Sequence, residues 1–340
     1  MDGPMERIEL SITVKRVLAS WSILTILLSI PGNAVVLIAS LKHKAIKFDK
    51  VSVILIENIA LSDLCDVLFV VLPTTIAILT EQSAIEKFFR ENKFGQVVCY
   101  SVAHFQYLFP LASSVMICAL NISKLLCLVS PLQSHTRPPT MGRLIAVAAW
   151  SAYLVRYLAT LIIHDKAIYG YWEKGFRCHE NDDTGSLILV DTVMGMLTVG
   201  LPGLILMITL SFLLYNVHKV AGLQKQAVLV NILISCAFSI SFAPYIIREI
   251  WVARGVSPNS QAHVVCTWLW LAAIFLNYIS CFANPIILYL SSASFKSFID
   301  EKCCRVMVTV KNIAPTPRCL WPVPEDTATQ EPLLRDPEIF

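Results

Sequence analysis

Charged groups stand in stretches of the sequence that are otherwise mostly apolar, among them Asp63, Asp66 and Arg156. A charge in such a setting is costly and persists where it has a partner, water or a function. Asp66 follows Asp63 by about one helical turn and could hydrogen-bond Tyr278. Arg156 could pair with Asp191 or reach towards the surface. Catalytic patterns are weaker. There is no His-x-x-x-His metal pair and no Gly-x-Ser-x-Gly elbow, and the adjacent His164 and Asp165 read as polarity at a loop edge. The chain is therefore not expected to be an enzyme.

The elements that must position these groups are membrane spans. Of 340 residues 56% are hydrophobic and 15% charged, with a mean hydropathy of +0.65, whereas soluble domains are about one quarter charged. A bilayer core of roughly 30 Å takes about 20 helical residues, and seven apolar runs reach that length, near 17–42, 51–80, 96–129, 142–164, 186–218, 224–254 and 264–291. The first run is too long for a signal peptide and has no cleavage site. Lys42, Lys44, Lys47 and Lys50, then Arg137 and Arg143, then Lys219 and Lys225 collect in alternate loops, which predicts that those loops are cytoplasmic and the N-terminus is outside. The net charge of +3 forms no basic stripe, so nucleic acid is not an expected partner.

Most cysteines lie within spans, where a small thiol packs easily. Cys99, at the head of span three, and Cys178, in the second outer loop, lie on the oxidising face and could form a disulfide, with Cys266 as a competitor. After the seventh run, 292-SASFKSFIDEKCCRV-306 has the spacing of an amphipathic helix on the inner membrane surface. Cys303 and Cys304 behind it are candidate palmitoylation sites, or inert thiols. The expected division is an extracellular N-terminus (1–16), a transmembrane domain with its amphipathic helix (17–302) and a disordered cytoplasmic tail (303–340). Asn121-Ile122-Ser123 matches a glycosylation sequon but lies near the inner end of span three, out of reach of the luminal enzyme.

Residues in almost every span carry a resemblance. Span one has Gly32-Asn33, span two 58-NIALSD-63, span three 123-SKLLCLVSPL-132 with Lys124 at 25 residues after Cys99, and span four Trp150. Pro202 stands in span five, 238-FSISFAPY-245 in span six and 284-NPIILYL-290 in span seven. Each is weak alone, but the ordered set, over roughly residues 17–302, resembles the rhodopsin-like family of G-protein-coupled receptors. The fold this implies is all-α, a seven-transmembrane helix bundle with a short amphipathic eighth helix, at the plasma membrane.

By the same resemblance Asp63 marks a sodium site, with Asn33, Ser113 and Asn284 supplying further oxygen-bearing groups that suit a hard cation. A hydrated polar network without an ion is the alternative, and no other cofactor is expected. Pro244 and Pro285 are expected to loosen their helices, as hinges for a swing of span six or as static kinks. The departures concern the inner end. Ser123, Lys124 and Leu125 replace Asp-Arg-Tyr, Leu210 replaces the Tyr of span five, and Leu288 replaces that of span seven, with Tyr289 one place on and about 100° round the helix. Phe242 stands for the usual Trp. Lysine lacks the planar five-donor fork of arginine, so the usual active-state contact cannot form in its ordinary shape.

The ligand pocket is expected between the outer ends of the helices, lined by Gln106, Tyr107, Arg248, Glu249, Trp251, Asn277 and Tyr278. Gln106 offers no counter-ion for an amine, and Tyr278 no lysine for retinal. Charged members of the set could read a peptide or an acidic group, or be solvated. The expected function is a receptor for an extracellular peptide or small molecule, signalling to intracellular partners. An atypical receptor with impaired coupling is the alternative. G protein and arrestin are both open as partners, and membrane lipid surrounds the protein. A transporter is disfavoured by the lack of an inverted repeat or paired interrupted helices.

Overall fold

The computed structural model describes residues 12–41, 48–80, 92–129, 138–163, 168–172, 177–181, 200–219, 222–253 and 261–311. The chain divides into two units, Met1–Ser297 and Phe298–Phe340. Helix α1 runs Ile12–Leu41, so Lys15 and Arg16 lie within its first turns ahead of the apolar run. Helix α2 has three consecutive pieces, Lys50–Asp66, a π-helical turn Val67–Val71 and Leu72–Leu79. Then come α3 (Lys93–Val129), α4 (Pro139–Ile163), α5 (Leu201–Asn216), α6 (Gly222–Ala253), α7 (Gln261–Ser291) and α8 (Ala293–Lys311). A 3₁₀ turn, Val217–Lys219, ends α5. Helix α8 continues past Lys302, through Cys303 and Cys304. The only strands among the described residues form an antiparallel hairpin, β1 (Ile168–Trp172) with β2 (Arg177–Asn181), in register Tyr171 to Cys178. This hairpin was not anticipated from sequence, and it lies against α3.

Five described helical stretches are long and apolar enough to cross a membrane, on α1, α3, α5, α6 and α7. Helix α2 is broken by its π turn, in which the Leu72 N–H reaches back five residues to the Val67 carbonyl. The cause is Pro73, which has no N–H to continue the ordinary ladder. Large apolar side chains such as Leu27, Leu144, Leu204 and Phe212 are exposed, as suits helices whose outward faces meet lipid rather than water. Inside, the helices are joined by close packing and by polar ties. Trp21 stacks on Phe275 at 5.0 Å and donates from Nε1 to its carbonyl at 3.0 Å. Ser62 on α2 donates to the Phe109 carbonyl of α3 at 2.8 Å.

The α1–α7 contact shows how the sequence builds a kink and then satisfies it. Pro285 cannot donate to the carbonyl four residues back, which is that of Cys281. That carbonyl instead accepts from Ser29 Oγ at 2.8 Å and Asn33 Nδ2 at 2.6 Å, both on α1. The approach depends on Gly32, where an added Cβ would lie 3.0 and 3.1 Å from Pro285 Cγ and Cβ. Gly32→Ala is therefore expected to part the two helices and cost about 1–3 kcal/mol, the usual range for overpacking. Thermal unfolding of the purified protein reads this directly, and an unchanged midpoint would show that the contact has slack.

Candidate functional site

Two polar centres lie along the axis of the bundle, one at mid-depth and one at its inner end. At mid-depth Asp63 is buried on α2, and its Oδ2 accepts from Asn284 Nδ2 on α7 at 2.8 Å. Asn33 completes the cluster from α1, its amide donating to Ser29 Oγ at 3.0 Å as well as to the Cys281 carbonyl. Asp66 accepts from Cys281 Sγ at 3.2 Å, so the partner of this second carboxylate is a thiol of α7. Three polar atoms around the cluster, Asn33 Oδ1, Asp66 Oδ1 and Ser113 Oγ, are buried without a hydrogen-bond partner. Ser113 is near enough to act on the Asp63 carboxylate, yet its hydroxyl lacks hydrogen-bond geometry. Buried polar atoms are rarely left so. Unsatisfied oxygens converging from three helices beside a carboxylate are a donor set that fits a small hard cation. Thus Asn33, Asp63, Ser113 and Asn284, distant in sequence, occupy one region.

At the inner end the organising residue is Lys124. Its side chain is only 7% exposed, and Nζ is hydrogen-bonded and ion-paired to Asp49 Oδ2, with the Phe48 ring 5.8 Å away. Asp49 is also the N-cap of α2, where its carboxylate accepts from the Ser52 backbone N–H at 2.9 Å and from Ser52 Oγ at 2.7 Å. Burial pushes the Asp49 carboxyl up. The Lys124 charge, the Lys124 hydrogen bond and the two bonds from Ser52 outweigh it and hold the group below the ordinary carboxylate range.

Sequence reasoning named Lys124 but missed Asp49. The available signal was Asp49 three residues before Ser52, an N-cap pattern. It marks a helix start and does not reveal a partner 75 residues away.

Two of the other inner positions, Leu210 and Leu125, are apolar in their surroundings as well as in type. Leu210 is packed with Leu213, Val228 and Ile232, and Leu125 lies against the same cluster. Leu288 is fully buried, as is Ser123 to within 4%. Tyr289 faces Lys296 at 5.8 Å, a contact beyond the end of α7. Further out, Phe242 stacks on Phe238 with ring centres 4.6 Å apart. Both rings line a cavity of about 330 Å³ between α3, α5 and α6, to which Ser114, Gly203 and Ile246 also contribute. Pro244 lies within α6 between two of the lining residues, Ala243 and Ile246.

Of the expected ligand residues, Asn277 is half-buried with its Oδ1 lacking a partner. Tyr278 is buried against Val67, Val71 and Cys281, turned towards α2. The side chains of Gln106, Tyr107, Arg248, Glu249 and Trp251 lie outside those described, as do those of Arg156, Cys99, Cys178, Cys266, Cys303 and Cys304, while Asp191 lies outside the described residues altogether. Two motif residues meet directly, Trp150 Nε1 donating to Asn58 Oδ1 at 3.2 Å.

The model of the family described as 7 transmembrane receptor (rhodopsin family) matches residues 32–288. The chain belongs to that family of multi-pass membrane receptors, whose members in general answer to extracellular ligands, act on G-protein or arrestin-type partners and are not enzymes. A comparison with curated proteins gives no match.

Proposed function

We propose that this receptor senses an extracellular peptide or small molecule at the outer ends of α3, α6 and α7 and passes the signal inward by rearranging α6. Residues Gln106, Tyr107, Arg248, Glu249, Trp251, Asn277 and Tyr278 line the site, and the chain lies in the plasma membrane with its N-terminus outside. A Cys99–Cys178 disulfide ties the outer hairpin to α3, and palmitoylation of Cys303 and Cys304 anchors the end of α8. The cavity beside Phe242 gives that ring room to repack as α6 moves. A sodium ion held by Asp63, Asn33, Ser113 and Asn284 would neutralise the buried carboxylate and so favour the closed arrangement.

A second reading, weakened coupling to G proteins, is favoured by one observation. The lysine that stands for the family's arginine is engaged with Asp49 at the start of α2, while Leu210 and Leu288 offer no hydroxyl to receive it. Releasing Lys124 breaks an ion pair and gains no equivalent contact. The test is nucleotide exchange on a panel of G proteins with the wild type and with Lys124→Arg/Leu210→Tyr/Leu288→Tyr. Under weakened coupling the wild type turns over little and the triple variant at least about tenfold faster, as expected for about 1.4 kcal/mol in favour of the open state. Strong wild-type turnover unchanged by restoration sinks the second reading. Solute or ion flux in proteoliposomes without movement of α6 sinks the first.

A further inference from the structure

Asn121, whose sequon lies out of reach of the luminal enzyme, has three cross-helix hydrogen-bond partners. It is fully buried on α3, one helical turn before Lys124. Its Oδ1 accepts from two donors on α6, Asn231 Nδ2 at 2.9 Å and Ser235 Oγ at 3.1 Å. Its Nδ2 donates to Thr209 Oγ1 on α5 at 3.3 Å. Thr209 sends its own proton back into α5, to the Ile205 carbonyl at 2.8 Å. Asn231 and Ser235 are themselves buried, at 2% and 0% exposed.

We infer that Asn121 is a positioning residue that sets the balance between closed and open α6, by holding both α6 donors on a single oxygen. This deepens the receptor reading above and rests on it for the role of α6. The geometry gives the clamp a direction. The two shorter bonds run to α6 and share one acceptor, so outward movement of α6 breaks both together and leaves a buried amide oxygen bare. The longer bond runs to α5, whose threonine keeps its intrahelical bond either way. The α6 arms therefore decide the position of α6, and the α5 arm contributes little. Below the clamp Gln226 Nε2 donates to the Ser291 carbonyl of α7 at 2.5 Å, a tie at the half-buried foot of α6 that the same movement must also break.

The test uses the full-length receptor in nanodiscs without ligand, with spin labels on bio-orthogonal residues at Leu41 and Lys225, both exposed at the inner ends of α1 and α6. Interhelical hydrogen bonds in membranes are individually modest, so losing two is expected to raise the long-distance population about tenfold. Asn121→Leu and Asn231→Leu/Ser235→Ala should each produce that rise, and their combination should add nothing further. Thr209→Val should change it less than about twofold. A purely structural role would instead lower the melting temperature in step with the bonds lost, without this asymmetry.

The inference is overturned if the distance distribution of Asn231→Leu/Ser235→Ala matches the wild type, or if Thr209→Val opens α6 as far. Should Asn121→Leu not fold, those two variants alone decide the matter. An α6 that opens as described while no G protein turns over leaves the clamp standing and counts against ordinary coupling.

Discussion

Asp49→Ala is expected to destabilise the folded bundle by about 3 kcal/mol, the low end for stripping one partner from a buried ion pair. The low end applies because Asp49 keeps 27% of its side chain exposed, while Lys124 keeps 7%. What remains is an ammonium group that has lost its counter-charge in a nearly dry site. Lys124→Met should cost less, since Asp49 is nearer to water and still caps α2. The double variant Asp49→Ala/Lys124→Met should recover to within about 1 kcal/mol of wild type, the residue being the lost N-cap. Asp49→Ser separates the two roles by keeping a capping oxygen while removing the charge. Thermal unfolding of all four measures the coupling. A double variant as unstable as the sum of the singles would mean that the pair contributes nothing. Because the Asp49 carboxyl is held below its usual range, its contribution is present above the unfolded value near 3.8 and is lost only as pH falls through the lower folded value. Stability should therefore show no Asp49 step between about pH 5 and pH 8.

The second large effect is expected at mid-depth. Replacing choline by sodium at constant ionic strength should raise the melting temperature of the wild type. At a sodium concentration ten times the dissociation constant the gain is about 1.4 kcal/mol. Asp63→Asn should abolish the sodium response, because it removes the charge while keeping the shape and the Asn284 partner. Ser113→Ala should weaken the response without abolishing it. Identical melting curves in sodium and choline for the wild type would rule the ion out and leave a hydrated network as the reading of Asn33 Oδ1 and Ser113 Oγ.

What was legible in the sequence follows from the range over which each cause acts. The spans were, because an apolar run and its flanking charges are local, and α2, α3, α4, α6 and α7 begin and end within a few residues of where that run predicts; for span five, expected over 186–218, the part before residue 200 lies outside the described residues. Helix α1 begins earlier, at Ile12, since a helix can continue beyond the hydrocarbon that first called for it. The convergence of Asn33, Asp63 and Asn284 was legible through motif positions. The Lys124–Asp49 pair and the Asn121 clamp were not. Both join residues at least 75 apart in the chain, and neither follows from helical period or propensity. The role of Asn121 stayed out of sight for a related reason. Its depth in span three excluded glycosylation, but the partners it meets there come from two other helices and leave no mark on the local sequence.

The π turn in α2 has a consequence of another kind. A π turn holds about one residue more than an α turn, and one residue corresponds to about 100° of helical rotation; the buried residues within and after it are Val67, Val70, Val71, Thr75 and Ala77. The piece of α2 that carries Asp63 and the piece beyond the turn are thereby joined through a segment whose residue count sets the rotation between them. A change in length within Val67–Val71 would re-aim every outer side chain of the helix at once while leaving Asp63 in place. The direction of those side chains can thus change by the count of residues as well as by their exchange.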